Sequence, residues 1–291
     1  MKTLTTLTAA VAVTATVAFP AFADDAKGRV LLVASSENIL ALSDGRQHQT
    51  GYYLGELAVP AQAFIAAGYE VVVATPDGNT PALDGNSINL DLFHNDRDAM
   101  DQALRFVTTD PSMQKPQVLA KVVQAGLDDF DALYVPGGHA PMTDLMQDRD
   151  LGAALRHFHD AGKVTAMLCH GPIAFSAAVE NPEDFRAAMV AGDLARASEL
   201  AGDWPYAGYN MTVYSTAEEK GVEDWLGAEI EFYMEDALRA AGATVTVAEP
   251  DQPYVVVDRE LVTGQNPWSD AALAEAVITA LDRQVAERTG Q

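Results

Sequence analysis

The chain has little from which to build covalent or ionic scaffolding. One cysteine occurs in 291 residues, so no intramolecular disulfide is available and the thiol needs another explanation. Lys and Arg total 18 against 42 Asp and Glu, a formal charge of −24. So acidic a surface repels nucleic acid and anionic membranes, both of which are bound through Lys and Arg. Neither is expected as a partner. There is no CxxC pair and the six histidines are scattered along the chain, so neither a metal-ligand cluster nor a cofactor is expected. Beyond the amino terminus no apolar run is long enough to cross a bilayer. Internal repeats and low-complexity linkers are also missing, which argues for one domain.

The amino terminus reads as an export signal. Met1-Lys2 leads into a Thr/Ala/Val/Leu stretch that ends in Ala21-Phe22-Ala23 before Asp24, the parts of a secretory signal peptide. Cleavage after Ala23 leaves 268 residues and, with Lys2 lost, a charge of −25. The expectation is a signal peptide over residues 1–23 and a periplasmic mature protein, with residues 24–291 forming one α/β domain.

Within that domain, strand-like runs alternate with amphipathic helical ones, the pattern of a mostly parallel sheet covered on both faces. Arg29–Ala34, Glu70–Ala74, Ala132–Val135 and the run ending at Leu168 read as buried strands, with Thr244–Val247 and Tyr254–Val257 later in the chain. Leu54, Leu57, Ala58, Ala61, Phe64 and Ile65 mark one face of a helix closed by Gly68. Residues 88–126 read as a small helical cap. Residues 181–208, acidic and Ala-rich and ending in Trp204-Pro205-Tyr206-Ala207-Gly208, read as an insertion.

The cysteine sits where chemistry is done. Val164-Thr165-Ala166-Met167-Leu168 is apolar and stops at Cys169-His170, and Gly171-Pro172 then opens a helix. That layout is a nucleophile elbow. A helix start and a neighbouring histidine both lower a thiol pKa, so Cys169 is expected to ionise more readily than a free cysteine. Free N–H groups at that turn, and Gly137-Gly138 at the end of another strand, can hold an oxyanion. Glu56 lies off the apolar stripe of its helix and is the candidate proton-handling group. Pro60, four residues on, cannot donate to the Glu56 carbonyl. Another imidazole, His139, comes directly after the Gly-Gly turn.

Three segments carry a family resemblance. Tyr52-Tyr53-Leu54-Gly55-Glu56-Leu57-Ala58-Val59-Pro60, Tyr134-Val135-Pro136-Gly137-Gly138-His139-Ala140 and Leu168-Cys169-His170-Gly171-Pro172 resemble the ThiJ/PfpI superfamily, above all its glyoxalase III-like branch with chaperone-like members. The tail Val256–Pro267 is similar too. The resemblance implies a flavodoxin-like three-layer sandwich with Cys169 as nucleophile, Glu56 as its proton partner and His170 beside it. It implies a carboxylate after the elbow, Glu219 or Glu218, to orient His170. Gly137, Gly138 and His139 would line the oxyanion and substrate site. Ala140 departs from the family, which usually has a glycine there. The implied reaction turns methylglyoxal, a small aldehyde, into lactate without metal or cofactor. A cysteine hydrolase acting on peptide or amide bonds and a holdase chaperone are the alternatives. The oligomeric state is open, a homodimer included.

Overall fold

A computed structural model of the protein describes residues 26–290; the expected signal peptide, residues 1–23, lies outside them. The chain opens with β1 (Gly28–Val33), a hairpin of β2 (Ile39–Ala41) and β3 (Gln47–Gln49), α1 (Leu54–Ala66) and β4 (Tyr69–Thr75). Then come α2 (Arg97–Thr109), α3 (Pro111–Gln114), β5 (Gln117–Val118), α4 (Leu119–Ala125), β6 (Ala132–Val135), α5 (Arg149–Asp160) and β7 (Val164–Leu168). A 3₁₀ helix over Gly171–Ala178 leads to α6 (Pro182–Val190), α7 (Leu194–Leu200), β8 (Asn210–Met211), α8 (Thr216–Leu226) and α9 (Met234–Ala240). The chain closes with β9 (Thr244–Val245), β10 (Val255–Asp258), β11 (Leu261–Gly264) and α10 (Asp270–Thr289).

Seven strands form the central sheet in the order β10-β11-β7-β6-β1-β4-β5. Every neighbouring pair is parallel except β10 with β11. Side chains alternate across a strand, so one run feeds two cores. From β1, Val30 and Leu32 join Leu57 and Phe64 of α1, Phe106 of α2 and Val277 of α10. Leu31 and Val33 face the other way, toward Leu155 and Phe158 of α5 and Phe175 of the 3₁₀ helix. This is the expected flavodoxin-like sandwich, with helices on both faces of a mostly parallel sheet.

Three details differ from the sequence reading. The segment expected as a helical cap does hold helices, but its Gln117 and Val118 pair with Ala74 and Thr75 of β4, adding the outer strand of the sheet. The segment 181–208 is bound firmly to the second core. Trp204 is 3% exposed and donates from Nε1 to the Phe175 carbonyl at 2.8 Å, and the buried Tyr206 hydroxyl donates to the Leu155 carbonyl at 2.9 Å. Thr244–Val247 yields a two-residue strand that pairs with β8 outside the main sheet. The sheet instead gains β11, a buried run of four residues beside β7.

Candidate active site

The strands β6 and β7 lie side by side and end together, which brings the turns after both into contact. At the end of β7, Cys169 takes a left-handed backbone with φ of 61°, a conformation that costs a non-glycine residue energy and is kept where surrounding bonds enforce it. Its N–H donates to the Gly264 carbonyl of β11 at 2.9 Å, and its carbonyl accepts from the Tyr214 N–H at 2.8 Å. The elbow is therefore held on both sides. The helix leaving the elbow is 3₁₀ rather than α, with Pro172 in its first turn.

The turn after β6 must come very close. A side chain on Gly137 would meet the Glu56 carboxylate at 2.4 Å and the Cys169 Cβ at 2.6 Å. Gly138 has φ of 84°, and a Cβ there would meet the Gly51 carbonyl at 2.0 Å. Only glycines admit this approach. It presents the Gly138 amide to the thiol, an interaction that draws the thiol pKa down.

Glu56 comes from the first turn of α1 and is fully buried. Pro60 lies inside that helix and leaves the Glu56 carbonyl without its helical donor; the Tyr134 hydroxyl of β6 fills the vacancy. The helix break thus ties Glu56 to the strand that carries Gly137. Neither carboxyl oxygen finds a partner of good hydrogen-bond geometry, but the group lies against the Cys169 thiol and the Gly137 amide. Burial raises its pKa to about 8, with the charge of Asp270 adding to the rise.

This neighbour corrects the expectation that Cys169 ionises easily. Burial, then the Glu56 charge, pushes the thiol well above its ordinary value. The thiol is 1% exposed, and a helix start cannot offset lost water plus an acid in contact. Two acids this close do not both ionise, so the pair keeps at least one proton at neutral pH.

Behind the thiol stands a second unit. The His170 Nδ1 is 3.1 Å from the Cys169 Sγ, and its Nε2 is 2.8 Å from Glu219 Oε2. The carboxylate accepts only, so Nε2 carries the proton and Nδ1 offers its lone pair to the thiol. Burial, then the neighbouring His139, lowers the His170 pKa to about 4 and keeps the ring neutral. Glu219 bridges two rings, because the His139 Nε2 lies 2.8 Å from its other oxygen. Burial acts to raise the Glu219 pKa, but the two imidazoles outweigh it and hold the group below the usual carboxylate range. Two of the histidines scattered along the sequence meet here, since the paired ends of β6 and β7 bring His139 and His170 within 4.0 Å, ring to ring. Donor atoms of His139, His170 and Glu219 lie within 4.8 Å of one another, a set able to hold a metal ion. The two 2.8 Å hydrogen bonds already account for the arrangement.

A buried thiol on a strained elbow, with a Gly-Gly turn, an imidazole and a carboxyl against it, invites comparison with known proteins. The family described as ThiJ/PfpI family-like matches residues 48–224. The chain belongs to the ThiJ/PfpI-like family. Protein/nucleic acid deglycase HchA of Staphylococcus aureus is 24% identical to it over 263 residues, covering 88% of this chain and 81% of that protein. Two solved structures share the fold. The Francisella tularensis Rapid Encystment Protein 24 kDa is 23% identical with a TM-score of 0.67, covering 87% of this chain and 99% of that one. Glyoxalase III from Candida albicans is 24% identical with a TM-score of 0.63, covering 87% of this chain and 97% of that one.

Of the candidates read from the sequence of this ThiJ/PfpI-like chain, Cys169, His170, Glu56, Glu219, Gly137, Gly138 and His139 all meet at one end of β6 and β7. Glu218 does not. It closes a capping box with Ser215 at the start of α8, and its carboxylate accepts from the Asp251 N–H at 3.0 Å, Gln265 Nε2 at 2.9 Å and Asn266 Nδ2 at 2.8 Å. Sequence reading did not find the Glu219 bridge to His139, which joins residues 80 apart; the only signal was an imidazole placed just after the Gly-Gly turn. Nor did it find Tyr214, whose ring stacks on His170 at 4.6 Å.

Glu218→Ala leaves the donors of Ser215, Asp251, Gln265 and Asn266 without their acceptor, at roughly 1–3 kcal/mol for each orphaned group that stays buried. Relaxation and water recover part of that, so urea unfolding should show a loss of about 3 kcal/mol. A loss below about 1 kcal/mol would show that the network adds little.

Proposed function

We propose that this protein is an enzyme of the glyoxalase/deglycase type that converts methylglyoxal to lactate without glutathione. The observation that carries the reading is the buried carboxyl of Glu56, raised to about 8 and lying against a thiol. A base whose pKa falls near working pH is what proton transfer between carbons requires. Cys169 adds through sulfur to the aldehyde carbon while Glu56 takes the thiol proton and hands it to the former aldehyde oxygen, giving a neutral hemithioacetal and a free carboxylate. Its oxygen lies toward the Gly138 amide and the His170 side. Glu56 then moves a proton from the aldehyde-derived carbon to its neighbour while the hydroxyl proton passes to the ketone oxygen, leaving a thioester, and water releases lactate and the free thiol. Glu219 keeps His170 in one tautomer and takes no proton itself. No step calls for a metal.

Burial also bears on the substrate. A peptide main chain, or a glycated side chain on a folded protein, must reach a thiol that is 1% exposed. A free three-carbon aldehyde needs far less room. This favours the small aldehyde over the peptide hydrolase, and nothing at the site favours a holdase. Export belongs to the same proposal: a signal peptide ending at Ala23 gives a mature periplasmic protein beginning at Asp24. Intact-mass measurement of the exported protein checks this, and retention of residues 1–23 would overturn it.

The test is lactate formation from methylglyoxal without glutathione by the purified protein. Glu219→Gln should lower turnover on the order of a hundredfold, because orientation is lost while the nucleophile stays. Equal turnover in Glu219→Gln and wild type would remove Glu219 from the mechanism and leave Cys169 with Glu56 alone.

A further inference from the structure

Resting on the thiol chemistry just proposed, the site carries a feature that the mechanism leaves unused. Two tyrosines are tied by their main chains to the turns that hold Cys169. Tyr53, the residue before α1, gives its N–H to the Gly137 carbonyl at 3.4 Å, and Tyr214 gives its own to the Cys169 carbonyl at 2.8 Å. The main chains of both residues are thus fastened to the turns that form the site, and the Tyr214 ring is fixed again by stacking on His170 at 4.6 Å and 25°. Both residues are half-buried. Among the described residues neither hydroxyl has a hydrogen-bond partner in the protein, whereas Tyr134, Tyr206, Tyr209 and Tyr233 all use theirs.

Two unpaired phenols beside a reactive thiol form a donor pair. Burial raises both hydroxyls well above the ordinary tyrosine value; after it come the charges of Asp84 and Cys169 at Tyr53, and of Cys169 and Glu219 at Tyr214. They therefore stay neutral and able to donate.

We propose that Tyr53 and Tyr214 form a subsite that binds the second oxygen of an α-oxygenated carbonyl compound, a vicinal dicarbonyl or hydroxycarbonyl, while Cys169 faces the carbonyl carbon beside it. A simple aldehyde or ketone has no such oxygen and leaves both donors unused. Selection then comes from paired polar groups rather than from pocket size.

Protection of the thiol tests this without requiring turnover. Cys169 is alkylated with iodoacetamide at pH 9 in the presence of hydroxyacetone or of acetone, and the concentrations giving half protection are compared. Wild type should be protected by hydroxyacetone at roughly three- to tenfold lower concentration than by acetone, the ratio expected for one or two neutral hydrogen bonds. Tyr53→Phe and Tyr214→Phe should each shrink that ratio while alkylation without ligand and the melting temperature stay unchanged. Equal protection by the two ketones in wild type overturns the subsite, as does a ratio that survives both substitutions. If the ratio behaves as expected but wild type makes no lactate from methylglyoxal, the proposed reaction fails and the subsite stands.

Discussion

Cys169→Ala should abolish lactate formation, with turnover falling on the order of a thousandfold or more, because no other group at the site can form the covalent adduct. The fold should survive. The side chain lost is small, and the strained elbow is held by backbone bonds to Gly264 and Tyr214 rather than by sulfur. Truncating one small buried group costs about 1 kcal/mol. Circular dichroism and a thermal melt read stability beside the lactate assay. Turnover retained within about tenfold of wild type would put the chemistry elsewhere.

The second large effect has two parts of opposite sign. Glu56→Gln should reduce turnover by roughly a hundred- to ten-thousandfold, the range for removal of a general base. The same substitution should make the thiol easier to ionise, because the Glu56 charge is among the causes that push Cys169 up. Its alkylation midpoint should therefore move to lower pH, though burial keeps it above that of a free cysteine. In wild type, the Glu56 carboxyl is raised to about 8, so the base is protonated below that value. Turnover should rise about tenfold per pH unit toward 8 and level off above it, and that midpoint belongs to the Cys169–Glu56 pair rather than to either group. A flat profile between pH 6 and 9, or an unchanged alkylation midpoint in Glu56→Gln, would show that the two side chains are not coupled.

The legible parts were those written locally. An apolar run ending at Cys169-His170-Gly171-Pro172 places a thiol on a turn without any knowledge of the rest. Pro60 marks an unmade bond at the Glu56 carbonyl, although the sequence does not reveal that Tyr134 fills it. The thiol's state is not legible, because the sequence displays the helix start but not the burial or the carboxyl from α1 in contact. Strand β11 is hidden too, since four residues in a Thr- and Gly-containing stretch show no periodicity. The bridge from Glu219 to His139 and His170 depends on β6 and β7 ending together, a property of sheet order rather than of local spacing. Glu218 and Glu219 are adjacent acids in one helical turn, and only the direction each side chain takes separates a structural hub from a member of the candidate site.

The strand order also has a consequence for how the protein is made. The elbow at Cys169 is completed by β11, which enters the sheet between β7 and β10 some 95 residues later in the chain. During vectorial synthesis, residues through Leu168 can lay down β5, β4, β1, β6 and β7 as they emerge, yet the backbone bond that fixes the thiol has no partner until Gly264 is translated. Tyr214, Glu219 and the Asn266 side chain that anchors the neighbouring Glu218 also arrive after the cysteine. A nascent or truncated chain ending before Tyr214 therefore has Glu56 and the Gly137-Gly138 turn to set against Cys169, but neither of the backbone bonds that hold the elbow. The assembled site is a late product of the carboxyl-terminal third.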